Sequence, residues 1–254
     1  MRLLIWGAGE LGTLVARQWA HGPTIGYTKT TARHRQLREL GLEPRTGNAA
    51  SALRPEDALL ISLPGTEAKA EVLAALANRP PPRRAVLIST TGYYGSPQGR
   101  VDEDTPPGRT EGAQAVARVE QIFRAWAGEA GVIIRPGGLY RPGRGPMAAL
   151  ARRGTVSAKP PNKTLALIHY EDAATAVAAA LQRAEVAPVY LAVTSPSPSR
   201  REFFEAAAAR LGLEAPPFAD PLPGPAARYD ATRLRRDLLP RPAYPDWRAA
   251  LTLP

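Results

Sequence analysis

Short apolar runs alternate with stretches of helical periodicity through the first half of the chain. Five runs are short and largely apolar, as expected of strands buried in a parallel sheet: residues 2–6, 24–28, 58–63, 85–89 and 132–135. Four intervening stretches carry apolar residues at helical spacing: residues 11–19, 33–40, 67–77 and 111–128. This alternation predicts an α/β fold with a doubly wound parallel sheet, because right-handed crossovers place helices on both of its faces.

The second half of the chain is less regular. Two strands and three helices are predicted there: strands 164–168 and 189–193, and helices 147–153, 171–184 and 200–211. Nine prolines from residue 216 onward exclude one continuous helix, so we expect loops with short helices near 231–238 and 246–251. We expect residues 1–140 to form the main domain and residues 141–254 to form a small α/β lobe whose chain returns to the sheet.

Composition and charge reduce the kinds of site and partner that we expect for this chain. The 254 residues include no cysteine and only three widely separated histidines, which predicts neither a disulfide nor a metal site. No apolar run reaches the roughly 18 residues of a membrane span, and the apolar start is too short for a signal peptide, so we expect a cytoplasmic protein. A net charge of +10 can indicate nucleic-acid binding, but the basic residues are scattered and no nucleic-acid motif occurs, so we expect no such partner.

Three glycines follow the first predicted strand directly and open the first predicted helix. Gly7, Gly9 and Gly12 form the pattern G-x-G-x-x-G. In this context the first glycine permits a tight turn, the second lets the backbone approach a pyrophosphate, and the third lets the helix pack closely on the strand. The helix start, with Glu10 and Leu11, offers free backbone amides to the phosphates. The pattern therefore predicts a Rossmann domain that binds a dinucleotide; the alternative is a glycine-rich turn without a ligand.

The end of the second predicted strand bears on the choice of dinucleotide. NAD sites usually place a carboxylate there, on the ribose 2′-hydroxyl, but residues 27–33 contain none. Lys29 and Arg33 are suited to a 2′-phosphate instead, so charge favours NADP, with NAD as the alternative. Both cations would otherwise be solvated surface residues. The loop that ends a later strand is expected to contact the ribose and nicotinamide side of the cofactor: Ser62, Leu63 and Pro64.

Further motifs occur in a familiar order within residues 1–195. They are Ile88–Gly95, Val101–Pro106, Arg135-Pro136, Tyr140–Arg144 and Ile168–Asp172. Together with the glycine pattern, they resemble the extended short-chain dehydrogenases/reductases, in the NAD-dependent epimerase/dehydratase family. The resemblance implies hydride transfer at a nicotinamide and a Ser or Thr that polarises the substrate oxygen, here Thr90. It also implies homodimers formed through the long helix 111–128.

The family's catalytic pair, a Tyr-x-x-x-Lys sequence on the long helix, is absent. In that pair the lysine charge lowers the tyrosine pKa from about 10, so that the phenol exchanges a proton near neutral pH. If Glu120 is aligned with the family's glutamate, Gly112 stands at the tyrosine position and Val116 at the lysine position. The resemblance is therefore to an atypical member of the family.

Other residues are candidates for the missing chemistry. Tyr93 lies beside Thr90 in the loop past the strand end and is the candidate acid, and Thr91 is a candidate substrate contact. Three residues of the later motifs are candidates to line the substrate side: Tyr140, Arg144 and His169. His169 has a suitable pKa for acid–base catalysis, but the favoured interpretation is that it orients the helix that follows it.

Two functions follow from these residues. The first is an NADP-dependent oxidoreductase or epimerase that acts on a small molecule, a sugar-like or polar carbonyl substrate, with Thr90 and Tyr93 at the reacting oxygen. The second is a non-catalytic NADP(H) sensor, which the missing pair favours. A nucleic-acid binder is a weaker third alternative, suggested by charge alone.

Overall fold

The computed structural model describes residues 1–251, which fold into a sheet with a layer of helices on each face and a smaller lobe beside it. The strands are β1 Leu3–Trp6, β2 Thr24–Thr28, β3 Glu43–Thr46, β4 Ala58–Ile61, β5 Arg84–Ile88, β6 Arg100–Val101, β7 Gly131–Pro136, β8 Gly138–Tyr140, β9 Leu167–His169, β10 Val189–Ala192 and β11 Arg228–Tyr229. The α-helices are α1 Glu10–Arg17, α2 His34–Glu39, α3 Thr66–Leu76, α4 Glu111–Ala127, α5 Pro146–Arg153, α6 Tyr170–Gln182, α7 Arg200–Leu211 and α8 Thr232–Asp237.

Seven strands form one parallel sheet in the order β3-β2-β1-β4-β5-β7-β10. This topology confirms the prediction of a doubly wound Rossmann fold. The strand order reverses between β1 and β4, and the carboxyl ends of such neighbours leave the crevice in which open α/β sheets bind ligands. The chain after residue 140 returns to the sheet through β10, which places Val189 opposite Ile133 of β7.

Helices cover both faces of the sheet because successive strand residues point to opposite sides. Leu3 and Ile5 pack into the core beneath α1 and α6, whereas Leu4 between them packs into the core beneath α3 and α4. All three are fully buried, and each contributes roughly 1.5–3 kcal/mol through the apolar surface it removes from water. Within residues 1–251, no helix is both long enough and apolar enough to cross a bilayer.

The smaller lobe has a core of its own, in which α5 and α7 pack together and α7 packs on residues 247–251. Two short parallel pairs, β8 with β9 and β6 with β11, connect it to the main domain. The predicted strand 164–168 is wrong in its bounds, because β9 begins at Leu167 and Thr164 forms only an isolated bridge with Ser199. The helix predicted near 246–251 is a 3₁₀ helix, Trp247–Leu251.

Candidate functional site

The glycine turn between β1 and α1 has the geometry that a diphosphate requires. Gly7 has a φ of +95° and a Cβ there would lie 2.5 Å from a backbone oxygen of the loop after β4, while a Cβ on Gly12 would lie 2.8 Å from the Ile5 side chain. Nothing lies nearer than 4.0 Å to a Cβ built on Gly9, so space is open in front of the helix. Within the described chain, the amides of residues 10–12 donate no hydrogen bond and remain free for an anion.

This turn opens into a cleft of about 1120 Å³ at the carboxyl ends of the central strands. The loop of residues 62–64, expected along the cofactor's ribose and nicotinamide side, lines the cleft, and Thr90 lines it beyond β5. Five cationic side chains also line it: Arg17, Arg33, Lys69, Arg141 and Arg144. Among the described residues that line the cleft, Glu10 supplies the one carboxylate, so the electrostatic field of the cleft favours an anionic ligand.

The two cations predicted to select NADP lie in different places. Arg33 lines the cleft, where its Nη1 donates to the Ala8 carbonyl oxygen at 3.4 Å and its Nε donates to Gln36 Oε1 at 3.1 Å. These contacts hold the guanidinium beside the glycine turn. Lys29 is exposed and is not among the residues that line the cleft. Arg33 is therefore the better placed of the two for a 2′-phosphate.

Arg141 and Arg144 both form ion pairs with Glu10 at the start of α1. The Arg144 Nη1 to Glu10 Oε2 distance is 3.2 Å, and the same guanidinium lies 5.5 Å from the centre of the Tyr170 ring. Both arginines are exposed, so the pairs add little stability, but they hold the loop 141–144 across the glycine turn. Arg144, a candidate for the substrate side, therefore lies at the end of the cleft that suits the diphosphate.

Helix α4 also forms part of the wall of the cleft. Gly112 and Val116, which stand at the positions of the family's catalytic pair, both line the cleft one helical turn apart. A Cβ on Gly112 would meet nothing within 4 Å, so this part of the wall is open. In the same cleft, Thr90 Oγ1 accepts a hydrogen bond from the Gly92 amide at 3.1 Å, which leaves the hydroxyl proton free to donate.

A buried polar network lies behind this wall. Ser89 Oγ donates to Glu120 Oε1 at 2.5 Å, and Arg135 donates to both carboxylate oxygens of Glu120, with Nη2 to Oε2 at 2.7 Å. Arg135 also donates to the Tyr94 hydroxyl at 3.0 Å. Burial raises the pKa of Tyr94 to about 12, so its phenol stays protonated near neutral pH. The network links the end of β5, from which Thr90 projects, to α4 and β7.

Lys69 was not anticipated from the sequence. It lies in α3, lines the cleft and is 7% exposed. Burial lowers the pKa of this lysine, and the charge of Glu120 opposes that shift. A single lysine in a helix between apolar neighbours resembles any surface lysine in sequence, so its burial follows only from the packing of α3 on α4.

Four of the predicted catalytic and substrate residues are not among those that line the cleft: Tyr93, Thr91, Tyr140 and His169. Arg135 lies over the Tyr93 ring, with its guanidinium carbon 3.4 Å from the ring centre, and Thr91 begins the same 3₁₀ helix. Tyr140 is buried against His169, and burial raises the pKa of its phenol. His169 Nδ1 accepts a hydrogen bond from the Glu171 amide at 3.2 Å and so caps α6. The geometry therefore supports the favoured interpretation of His169, which orients its helix.

No metal site is found among residues 1–251, because no group of three or more His, Cys, Asp or Glu side chains there is arranged to bind a metal ion. The residues of the cleft suit instead an extended organic anion, which the free amides and the guanidinium groups can bind.

Comparison with known proteins found relatives in sequence and structural neighbours. No protein-family model matches the chain. The chain is 31% identical over 208 residues to protein YeeZ of Escherichia coli K12, and the match spans 77% of this chain and 74% of that protein. A Methylobacillus flagellatus structure named as an NAD-dependent epimerase/dehydratase is 24% identical, with a TM-score of 0.75 over 98% of this chain and 95% of that one.

Two further neighbours were solved with cofactors. UDP-glucuronic acid 4-epimerase of Bacillus cereus, in complex with UDP-glucuronic acid and NAD, is 16% identical with a TM-score of 0.79, over 99% of this chain and 96% of that one. Human epimerase family protein SDR39U1, with NADPH, is 21% identical with a TM-score of 0.71, over 99% of this chain and 98% of that one. At these identities the likeness establishes the fold.

Proposed function

The chain belongs to the NAD-dependent epimerase/dehydratase family, and from that premise we propose that it is an NADP(H)-dependent enzyme acting on a polar, sugar-like carbonyl or alcohol substrate. The observation that carries the proposal is the glycine turn, where open space at Gly9 meets the free amides of residues 10–12. A nicotinamide dinucleotide fits this donor set, because a diphosphate accepts hydrogen bonds from such amides at the positive end of a helix.

Different residues of the cleft then bind different parts of the dinucleotide. The free amides bind the diphosphate, and Arg33 binds the 2′-phosphate beyond the end of β2. Arg141 and Arg144 exchange their Glu10 partner for phosphate oxygens, since both guanidinium groups already lie at the glycine turn. The loop of residues 62–64 borders the ribose and nicotinamide.

Thr90 is the residue that donates a hydrogen bond to the substrate oxygen. Its oxygen already accepts from the Gly92 amide, so its proton is free, whereas the neighbouring Ser89 gives its proton to Glu120. When bound, a reduced nicotinamide supplies a hydride. The Thr90 hydroxyl polarises the substrate carbonyl by donating to its oxygen, which is the atom on which negative charge develops as the hydride arrives.

The test of the proposal is calorimetric titration of the protein with NADPH and NADH. We expect binding of both, tighter for NADPH, and loss of binding in Gly9→Val, because a side chain there fills the space that a diphosphate needs. Gly9→Val should keep the unfolding temperature of the parent, since its backbone angles suit any residue. Normal NADPH binding by this variant would show that the site lies elsewhere, and absence of binding by the parent protein would refute the proposal.

A non-catalytic NADP(H) sensor is the second candidate, favoured by Gly112 and Val116 at the positions of the catalytic pair. NADPH oxidation in the presence of aldehydes, ketones and nucleotide sugars separates the two candidates. Turnover of any of these supports the enzyme. Tight NADPH binding without turnover across the panel supports the sensor. A homodimer through α4 and a cytoplasmic location stay predictions.

A further inference from the structure

Lys69 differs from the other cations of the cleft in its surroundings. Of the five that line the cleft, it alone is buried, at 7% exposed. Within residues 1–251 its ammonium makes no hydrogen bond and no ion pair. Its nitrogen is not among the fully buried side-chain atoms that lack a partner, so the stem of Lys69 is covered by protein while the ammonium keeps access to the cleft. The group is therefore placed to meet a ligand that enters the cleft.

The carboxylate that acts electrostatically on Lys69 already has hydrogen-bond partners. Glu120 lies on α4, against which α3 packs, and its charge acts on Lys69. Its two oxygens accept from Ser89 and Arg135, and Arg124 lies 3.7 Å away from one of them. The ammonium protons of Lys69 thus remain available on the side that faces the cleft.

Lys69 also supplies a lysine to the cleft where α4 lacks the lysine of the family's catalytic pair. The aligned lysine position of that helix is Val116, which lines the same cleft as Lys69 and Thr90. Lys69, on the adjacent helix α3, therefore supplies an ammonium to the cleft that Thr90 lines, whereas α4 lines it with only Gly112 and apolar residues.

We propose that Lys69 is the catalytic proton donor of this cleft, a role that rests on the proposed function. In carbonyl reduction, a hydride from the reduced nicotinamide forms the new C–H bond, and the carbon–oxygen π bond becomes a lone pair on oxygen. That oxygen takes a proton from the Lys69 ammonium, whose N–H bond breaks. The substrate is reduced to an alcohol, the dinucleotide is oxidised, and the Lys69 amine regains a proton from solvent at the open cleft.

The protonation behaviour of Lys69 suits this role. Burial moves the pKa of its ammonium below the ordinary lysine value, which makes it a stronger acid than a surface lysine. The charge of Glu120 opposes the shift, and that carboxylate is itself paired with Arg135 and lies 3.7 Å from Arg124. A proton donor is most effective when its pKa lies nearer to the working pH.

The first test measures Lys69 without any substrate. The chain has only four lysines, Lys29, Lys69, Lys159 and Lys163, so selective ¹³C labelling of lysine Cε gives four signals, and Lys69→Met identifies one. We expect that signal to titrate at lower pH than the other three and to shift when NADPH is added. Titration together with the other three would overturn the proposal.

The second test measures NADPH-dependent reduction of the same aldehydes, ketones and nucleotide sugars. We expect Lys69→Met to bind NADPH with parental affinity while single-turnover hydride transfer falls by about 10²–10⁴-fold, and Lys69→Arg, a much weaker acid, to fall as well. Lys159→Met is the matched control and should change neither, because Lys159 is exposed and is not among the residues that line the cleft. Loss of NADPH binding in Lys69→Met would make this a cofactor-binding lysine and overturn the proposal, as would an unchanged rate. Failure of the parent protein to bind NADPH refutes the proposed function instead.

Discussion

The buried ion pair of Glu120 and Arg135 makes the stability of the fold behind the cleft sensitive to the loss of either partner. Arg135 is 1% exposed and Glu120 is 2% exposed, so removal of one partner leaves the other charge buried and uncompensated. We expect Glu120→Ala to lower the free energy of unfolding by about 3–5 kcal/mol in urea denaturation. Glu39→Ala is the control, because it removes an exposed pair with Arg35 that is worth at most about 1 kcal/mol. Equal losses in the two variants would contradict this assignment.

Arg33 and Lys29 provide a second test at the scale of single residues. Hydrogen bonds to a charged partner contribute roughly 1.5–3 kcal/mol, so Arg33→Ala should weaken NADPH binding by about 10- to 100-fold. The affinity for NADH, which lacks the 2′-phosphate, should change much less. Lys29→Ala is the control and should keep parental affinity for both, since Lys29 is not among the residues that line the cleft. Calorimetric titration of the two variants checks this; weaker NADPH binding in Lys29→Ala alone would reverse the assignment.

Which site residues can be anticipated from sequence depends on how local their geometry is. The glycine turn was predictable because Gly7, Gly9 and Gly12 act within one strand–turn–helix unit. Lys69 was missed because its burial arises from two helices that are distant in sequence. Tyr93 was expected to face the reacting oxygen, but the guanidinium of Arg135, which arrives from β7, lies over its ring instead.

At the scale of elements, α6 depends on an unusual cap. His169 Nδ1 accepts from the Glu171 amide, which requires a neutral imidazole. Burial lowers the pKa of His169 below its ordinary value. The unfolded chain therefore takes up the proton at higher pH than the folded one, so the cap stabilises fully above about pH 6.5 and its contribution is lost as pH falls through the folded-state pKa. We expect the free energy of unfolding to decline over that range.

Two substitutions separate capping from titration in this prediction. His169→Asn keeps a good cap acceptor without a titratable ring, so the decline of stability below about pH 6.5 should become shallower. His169→Ala removes the acceptor and should cost about 1 kcal/mol at neutral pH, in addition to the lost stacking on Tyr244. Urea denaturation of the three proteins across this pH range checks both statements. An unchanged pH dependence in His169→Asn would show that other groups cause the decline.

The elements that sequence reasoning found are those whose own residues carry the pattern. Strands β1, β4, β5 and β7 are buried on both faces, and their apolar runs made them visible. Strand β3 was missed because Glu43, Pro44, Arg45 and Thr46 form a largely exposed edge with no apolar alternation. Strand β9 was displaced by three residues at its start because the apolar run begins before the segment that pairs with β8.

At the scale of the whole molecule, the site results from the order of the strands. The reversal between β1 and β4 opens the crevice, and the chain that leaves the carboxyl end of β7 through β8 brings loop 141–144 to the glycine turn. The arginines of that loop are more than 130 residues from Glu10 along the chain. Arg144 was predicted on the substrate side, and its contact with Glu10 was not predicted, because such a contact exists only once the sheet is assembled.

The net charge of the molecule leads to the last prediction. The chain carries +10, and its cleft holds five cations against one carboxylate. Exposed charges are screened as the Debye length falls from about 30 Å at 0.01 M salt to about 10 Å at 0.1 M. NADPH carries a further phosphate that NADH lacks, so its affinity should fall more steeply as salt rises. In Arg33→Ala the two slopes should converge, because the guanidinium at the 2′-phosphate is gone. Titrations of both dinucleotides at several salt concentrations check this, and parallel slopes in the parent protein would show that its cations do not distinguish the extra phosphate.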